Sequence, residues 1–201
     1  MKEIILQTIE REIQALRLLK QCCMEELEQV CAAIVETKGK VVFMGIGKSG
    51  HIGEKLAATF SSLGIRSIFV HAAEAVHGDL GMIDEDDFVI LMSNSGTTTE
   101  VLQNLEPLTA RHIVCASFTG NRDSALAQAC DYHIHYPKPT EADEWNLAPT
   151  SSTTMMLVLG DALACALSSA KQFQKQDFFR YHPGGSLGKQ LKQEQNKHCV
   201  N

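Results

Sequence analysis

Three loops of this 201-residue chain concentrate side chains able to do chemistry. Ser93-Asn94-Ser95-Gly96-Thr97-Thr98-Thr99-Glu100 follows the apolar run Phe88-Val89-Ile90-Leu91-Met92 and precedes a helical pattern bearing Val101, Leu102, Leu105 and Leu108. A strand that hands over to a helix through small hydroxylated residues suits an anion. The first N–H groups of a helix are unbonded, its dipole favours negative charge, and Ser and Thr hydroxyls add donors. One such loop is read equally well as a helix cap, because the same residues dominate N-caps. Here a second strand-to-helix loop, Gly45-Ile46-Gly47-Lys48-Ser49-Gly50, and a third hydroxyl cluster, Thr150-Ser151-Ser152-Thr153-Thr154, accompany it. Lys48 is placed where a helix dipole opposes a cation unless an anion lies nearby, which favours functional use over a merely solvated lysine. The glycine spacing of its loop satisfies neither the P-loop nor the full dinucleotide fingerprint.

Other polar clusters are weaker. His71-Ala72-Ala73-Glu74-Ala75-Val76-His77-Gly78-Asp79-Leu80-Gly81 is dense in His and acid but has no zinc-ligand spacing, so His77 is read as lining a polar sugar pocket. His133 and His135 alternate with larger apolar residues, as on an edge strand, and are left out of the site. The 7 cysteines lack metal spacing and are assigned no chemistry.

The elements that must position these loops follow from periodicity. Ile5, Ile9, Ile13, Leu16, Leu19, Leu27, Val30 and Ile34 fall near helical spacing, predicting one long helix or two shorter ones over residues 1–38, with Cys22-Cys23 within the helix and Gly39 at its end. That stripe needs a partner, the domain's own sheet or a neighbouring subunit. Strands are predicted at 41–44, 67–70, 88–92, 112–116 and 132–136, and a largely apolar helix at about 151–170. Strand and helix alternating in this way imply a parallel sheet covered on both faces, with ligands at the carboxyl ends of the strands. Lys48, Ser49, Ser93, Ser95 and Glu100 all fall there. A turn and short helix at 181–188 and a polar tail at 193–201 close the chain. A net charge of −6 argues against a nucleic-acid surface, no apolar run reads as a membrane span, and the start reads as an amphipathic helix rather than a signal peptide, so a cytoplasmic protein is expected.

Gly45-Ile46-Gly47-Lys48-Ser49-Gly50-His51-Ile52-Gly53, Glu74-Ala75-Val76-His77-Gly78-Asp79-Leu80-Gly81, Ser93-Asn94-Ser95-Gly96, Leu147-Ala148-Pro149-Thr150-Ser151-Ser152 and His182-Pro183-Gly184-Gly185-Ser186-Leu187-Gly188 together resemble the sugar isomerase (SIS) domain of arabinose-5-phosphate isomerases, over residues 41–191. The resemblance implies an α/β three-layer sandwich with a five-stranded parallel sheet in flavodoxin-like order over residues 39–192, preceded by N-terminal helices and lacking the CBS modules that many members carry. It implies interconversion of D-arabinose 5-phosphate and D-ribulose 5-phosphate for Kdo synthesis, without cofactor, by a homotetramer with sites at subunit interfaces. The family's catalytic residues fall on Lys48, Glu100, Glu141 and His182, and His71 matches an inhibitory metal contact. Ser49, Ser93, Ser95 and Thr98, with Ser151 or Ser152, are expected to bind the phosphate. Glu141 would move the proton between C2 and C1, His182 would open the ring or shuttle the oxygen proton, and Lys48 would steady the oxyanion with Glu100 holding it or a sugar hydroxyl. Other phosphosugar isomerases and a non-catalytic sugar-phosphate sensor are the rivals. No basic appendage supports the sensor.

Overall fold

In the structure, a computed structural model that describes residues 1–183, five strands and nine helices follow one another in the expected alternation. Helices α1 (Lys2–Leu18) and α2 (Met24–Glu36) precede β1 (Val41–Gly45), α3 (Gly47–Ser62), β2 (Ser67–His71), α4 (Ala72–Ala75) and β3 (Phe88–Met92). Then come α5 (Thr99–Leu102), α6 (Leu105–Ala110), β4 (Val114–Thr119), α7 (Ala125–Ala129), β5 (Tyr132–His135), α8 (Ser151–Ala170) and α9 (Lys175–Tyr181). Of the turn and short helix expected at 181–188, Tyr181 instead ends α9, and residues 184–188, like the tail at 193–201, lie outside the described residues.

All strand pairings are parallel and the strand order is β2-β1-β3-β4-β5, the flavodoxin-like order. The central strands β1 and β3 are buried throughout, which is why they read as unbroken apolar runs. Alternate residues feed the two faces. Val41, Phe43, Phe88, Ile90, Met92 and Phe118 pack beneath α2, α3 and α8, while Val42, Met44, Val89, Leu91 and Cys115 face α4, α5, α6 and α7. Burial pushes the Cys115 thiol up to about 12, so it behaves as a small hydrophobe.

The N-terminal stripe forms the two shorter helices of the expected alternatives, separated by a 3-10 turn at Leu19–Gln21. Four expectations are corrected. Cys22 and Cys23 lie not within a helix but in the break between the two, in extended conformation. The second helix ends at Glu36, three residues before Gly39, because Thr37 turns extended. The fourth strand begins at Val114, not His112, and runs on to Thr119; His112 adopts a left-handed φ of 55° as the chain leaves α6. Finally, α8 is long and apolar enough, by length and composition, to cross a bilayer. Its burial explains this composition differently: Met155, Met156, Leu159, Leu163 and Leu167 enter the core, and its Asp161 pairs with Lys55 of α3.

The partner question for α1 receives a divided answer. Ala15 is buried and Leu16 and Leu18 pack on the core, whereas Ile5, Ile9 and Ile13, one turn apart, remain 60%, 51% and 40% exposed. An apolar stripe of that kind is left uncovered within a single chain.

Candidate active site at the carboxyl rim of the sheet

The register aligns His71, Gly45, Met92 and Phe118 across β2, β1, β3 and β4. This row marks the carboxyl edge, and the candidate residues follow it immediately in the chain. Lys48 and Ser49 occupy the first turn of α3, and Ser93, Ser95 and Thr98 occupy the loop from β3 to α5. Because β1 and β3 are neighbours whose following helices lie on opposite faces, the two loops flank the crevice where such sheets bind ligands.

The loop after β3 is held by its own hydroxyls. Ser93 is buried; its Oγ accepts the Gly96 amide at 3.0 Å and shares a hydrogen bond with Thr98 Oγ1 at 2.8 Å. Ser95 is exposed and accepts from the Thr97 amide at 3.2 Å. Gly96 has a φ of 67°, and a Cβ there would lie 2.0 Å from Ser124 Oγ, so both conformation and space require glycine.

Glu141 reaches the same rim from the segment after β5. It is 8% exposed, and its Oε2 accepts three hydrogen bonds: from the Thr150 amide at 2.8 Å, the Ser152 amide at 3.1 Å and Thr150 Oγ1 at 3.2 Å. The carboxylate thus caps the start of α8, where the helix dipole favours its charge. The Glu141 amide is held in turn by Asn146 Oδ1 at 2.6 Å. Beside it, the Ser151 and Ser152 hydroxyls are buried and have no hydrogen-bond partner, a state that a bound anion would relieve. α8 starts at the carboxyl rim, where Glu141 caps it, and Phe173, just past its other end, packs on Gly64 at the end of α3. The two helices therefore run in parallel and present their positive ends to one rim.

Lys48 is exposed and, among the described residues, has neither an ion-pair nor a hydrogen-bond partner. Glu100, expected to hold Lys48 or a sugar hydroxyl, makes no ion pair or hydrogen bond with Lys48 among the described residues; it is half-buried, and its carbonyl accepts from Asn104 Nδ2 at 2.8 Å. His77 is exposed, just beyond α4. His71 ends β2 with a buried Nδ1 that has no partner, and among the described residues no three His, Cys, Asp or Glu side chains gather as metal ligands around it. His182 is not brought to the rim. Its Nδ1 meets the Phe178 carbonyl at 2.8 Å and its Nε2 meets Ser62 Oγ at 3.3 Å, and Ser62 ends α3 at the amino edge of the sheet.

Sequence reasoning missed residues that support the rim through distant contacts. Arg11 of α1 donates to the carbonyls of Ala142 at 3.0 Å and Asp143 at 3.4 Å, gripping the segment next to Glu141. Tyr136 donates to Asn94 Oδ1 at 2.9 Å. Neither has a local signature, since the partners lie 131 and 42 residues away.

Comparisons with known proteins agree on one family. The SIS domain model matches residues 34–166. The chain is 46% identical over 185 residues to the arabinose 5-phosphate isomerase KdsD of Salmonella typhi, covering 92% of this chain and 56% of that protein. Against KdsD of Pseudomonas aeruginosa it is 49% identical over 167 residues, covering 83% of this chain and 51% of the relative. The chain spans about half the length of these curated relatives. An Escherichia coli CFT073 protein solved in complex with arabinose 5-phosphate superposes with a TM-score of 0.88 at 46% identity, covering 90% of this chain and 96% of that one.

Proposed function

The chain belongs to the SIS domain family, and on that premise we propose that it interconverts D-arabinose 5-phosphate and D-ribulose 5-phosphate in the cytoplasm. The observation that carries this reading is the rim itself, where a buried, oriented carboxylate and an unpaired ammonium share one edge with two parallel helix N-termini and their hydroxyls. A sensor needs the hydroxyls alone; the carboxylate and ammonium are the parts that isomerisation adds.

The phosphate occupies the donors of Ser93, Ser95 and Thr98 with Ser49 and the orphaned Ser151 and Ser152 hydroxyls, and His77 borders the sugar. Starting from the aldose, Glu141 removes the proton from C2, the C1 carbonyl oxygen becomes the oxyanion of an enediolate, and the same carboxyl returns the proton to C1. The O2 proton leaves as the C2 carbonyl forms, while O1 gains one. Since Oε2 is engaged by three donors, Oε1 handles the carbon-bound proton. Lys48 stabilises the enediolate oxygen, and Glu100 orients Lys48 or a hydroxyl once substrate fills the crevice. His182 opens the ring or carries the oxygen proton at the site of a neighbouring subunit, within a homotetramer. Its place at the amino edge of its own chain, and the uncovered stripe on α1, support that reading.

The test is turnover of D-arabinose 5-phosphate in EDTA by the parent and by Glu141→Gln. We expect kcat to fall by about 10²–10⁴ in the variant, with circular dichroism unchanged. Undiminished turnover in the variant removes Glu141 as base, whereas an inactive parent that is still thermally stabilised by the sugar phosphate points to the sensor.

A further inference from the structure

We propose that Tyr136 is a positioning residue that couples the grip on the substrate's phosphate to the placement of Glu141, an inference that rests on the isomerase reading above. Tyr136 is fully buried, and its ring meets Phe118 edge-on at 5.9 Å. Its hydroxyl donates to Asn94 Oδ1 at 2.9 Å, and Asn94 stands between Ser93 and Ser95. The Asn94 carbonyl accepts from the Gly120 amide at 3.1 Å and from Thr119 Oγ1 at 3.2 Å, while the Tyr136 amide donates to the Thr119 carbonyl at 3.3 Å. The phosphate loop, the end of β4 and the residue after β5 are thereby tied into one knot. Gly120 sits inside it: a Cβ there would lie 2.9 Å from Asn94 Oδ1 and 3.1 Å from Tyr136 Cε2.

Downstream of the knot the chain runs Pro137-Lys138-Pro139-Thr140 to Glu141. Two prolines fix φ along this segment, and Pro139 is buried, so it behaves as a strut rather than a tether. A displacement of Asn94 when phosphate binds therefore reaches Glu141 through the Tyr136 hydroxyl and the strut. Burial, and then the nearby charge of Glu141, push the Tyr136 hydroxyl up, which keeps it a donor throughout the neutral range. A competing route exists, because Glu141 also accepts from the amides that open α8, where an anion would be felt directly.

Amide hydrogen exchange on the full chain, with inorganic phosphate as probe, separates the two routes. Residues 93–98 report binding, and residues 141–148 report the Glu141 loop, whose Ala142, Leu147 and Ala148 amides are hydrogen-bonded. In the parent, saturating phosphate should slow exchange in both segments by about threefold or more. In Tyr136→Phe, 93–98 should still be slowed and 141–148 should not. Tyr132→Phe, the same change on β5 where the ring packs on Phe88, should behave as the parent. With D-arabinose 5-phosphate, Tyr136→Phe should lower kcat about tenfold while KM stays within about threefold, as misplacement of a reacting group predicts.

Retained slowing of 141–148 in Tyr136→Phe would assign the coupling to α8 and overturn the proposal. So would an unchanged kcat, loss of slowing at 93–98 in the variant, or a parent whose 141–148 segment ignores phosphate. A parent that shows the exchange coupling but no turnover removes the isomerase reading and leaves the coupling standing. Absence of phosphate binding at 93–98 in the parent overturns the coupling, while turnover of D-arabinose 5-phosphate by that parent keeps the isomerase reading.

Discussion

The role proposed for Lys48 sets chemistry against stability within one side chain. Its ammonium stands in the first turn of α3 without a partner among the described residues, where the dipole disfavours it by about 0.3–1 kcal/mol. Lys48→Ala should therefore leave the melting midpoint unchanged or slightly raised while kcat falls about 10²–10³-fold, as for loss of one oxyanion donor. A drop in stability alongside full activity would sink that role. The conflict with the dipole was itself readable in the sequence, as were the hydroxyl loops, because each signal is local. The supports of Glu141 were not. Its capping of α8 joins it to Thr150 and Ser152 nine and eleven residues on, and Arg11 grips the next residue from another element altogether. Such partners depend on packing that no local pattern encodes.

At the scale of elements, periodicity gave the strands and the long helices because β1 and β3 are buried on both faces and α8 lies in the core, whereas the short α7 and α9 carry too few turns to show a pattern. Element ends were less legible, since they are decided by single backbone angles such as that of His112. One end is secured electrostatically. Asp87, which leads into β3, accepts from the amide of Lys40 at 2.8 Å, from Lys40 Nζ at 2.6 Å and from the Asp84 amide at 2.8 Å, and its side chain is 1% exposed. Burial pushes its carboxyl up, but the Lys40 side chain, the two amides and the Lys40 charge together hold it below the usual carboxylate range. A depressed folded-state value means that this contribution is complete above the ordinary value of 3.8 and is lost as pH falls through the lower, folded one. Asp87→Asn should thus cost about 1–2 kcal/mol in urea unfolding at pH 7, with the gap from the parent narrowing below the ordinary value. A gap independent of pH would refute the charge-based account.

On the scale of the whole molecule, the parts proposed for catalysis stand at opposite edges of one sheet. Glu141 and Lys48 lie at the carboxyl rim, and His182 rests on Ser62 at the amino edge. If a neighbour's His182 completes each site, two inactive proteins should rescue each other. Glu141→Gln and His182→Ala chains, unfolded together and refolded in equal amounts, should regain about a quarter of the parent activity, the fraction of sites that draw both intact residues when chains assort at random. Mixtures no more active than their components would return His182 to a structural role. A division of labour between two edges would also give such a catalyst an unusual dependence on its own abundance. Where assembled and single chains are in equilibrium, the rate per chain would rise with protein concentration, so that dilution alone acts as an inhibitor and scarcity of the protein silences it before any effector does.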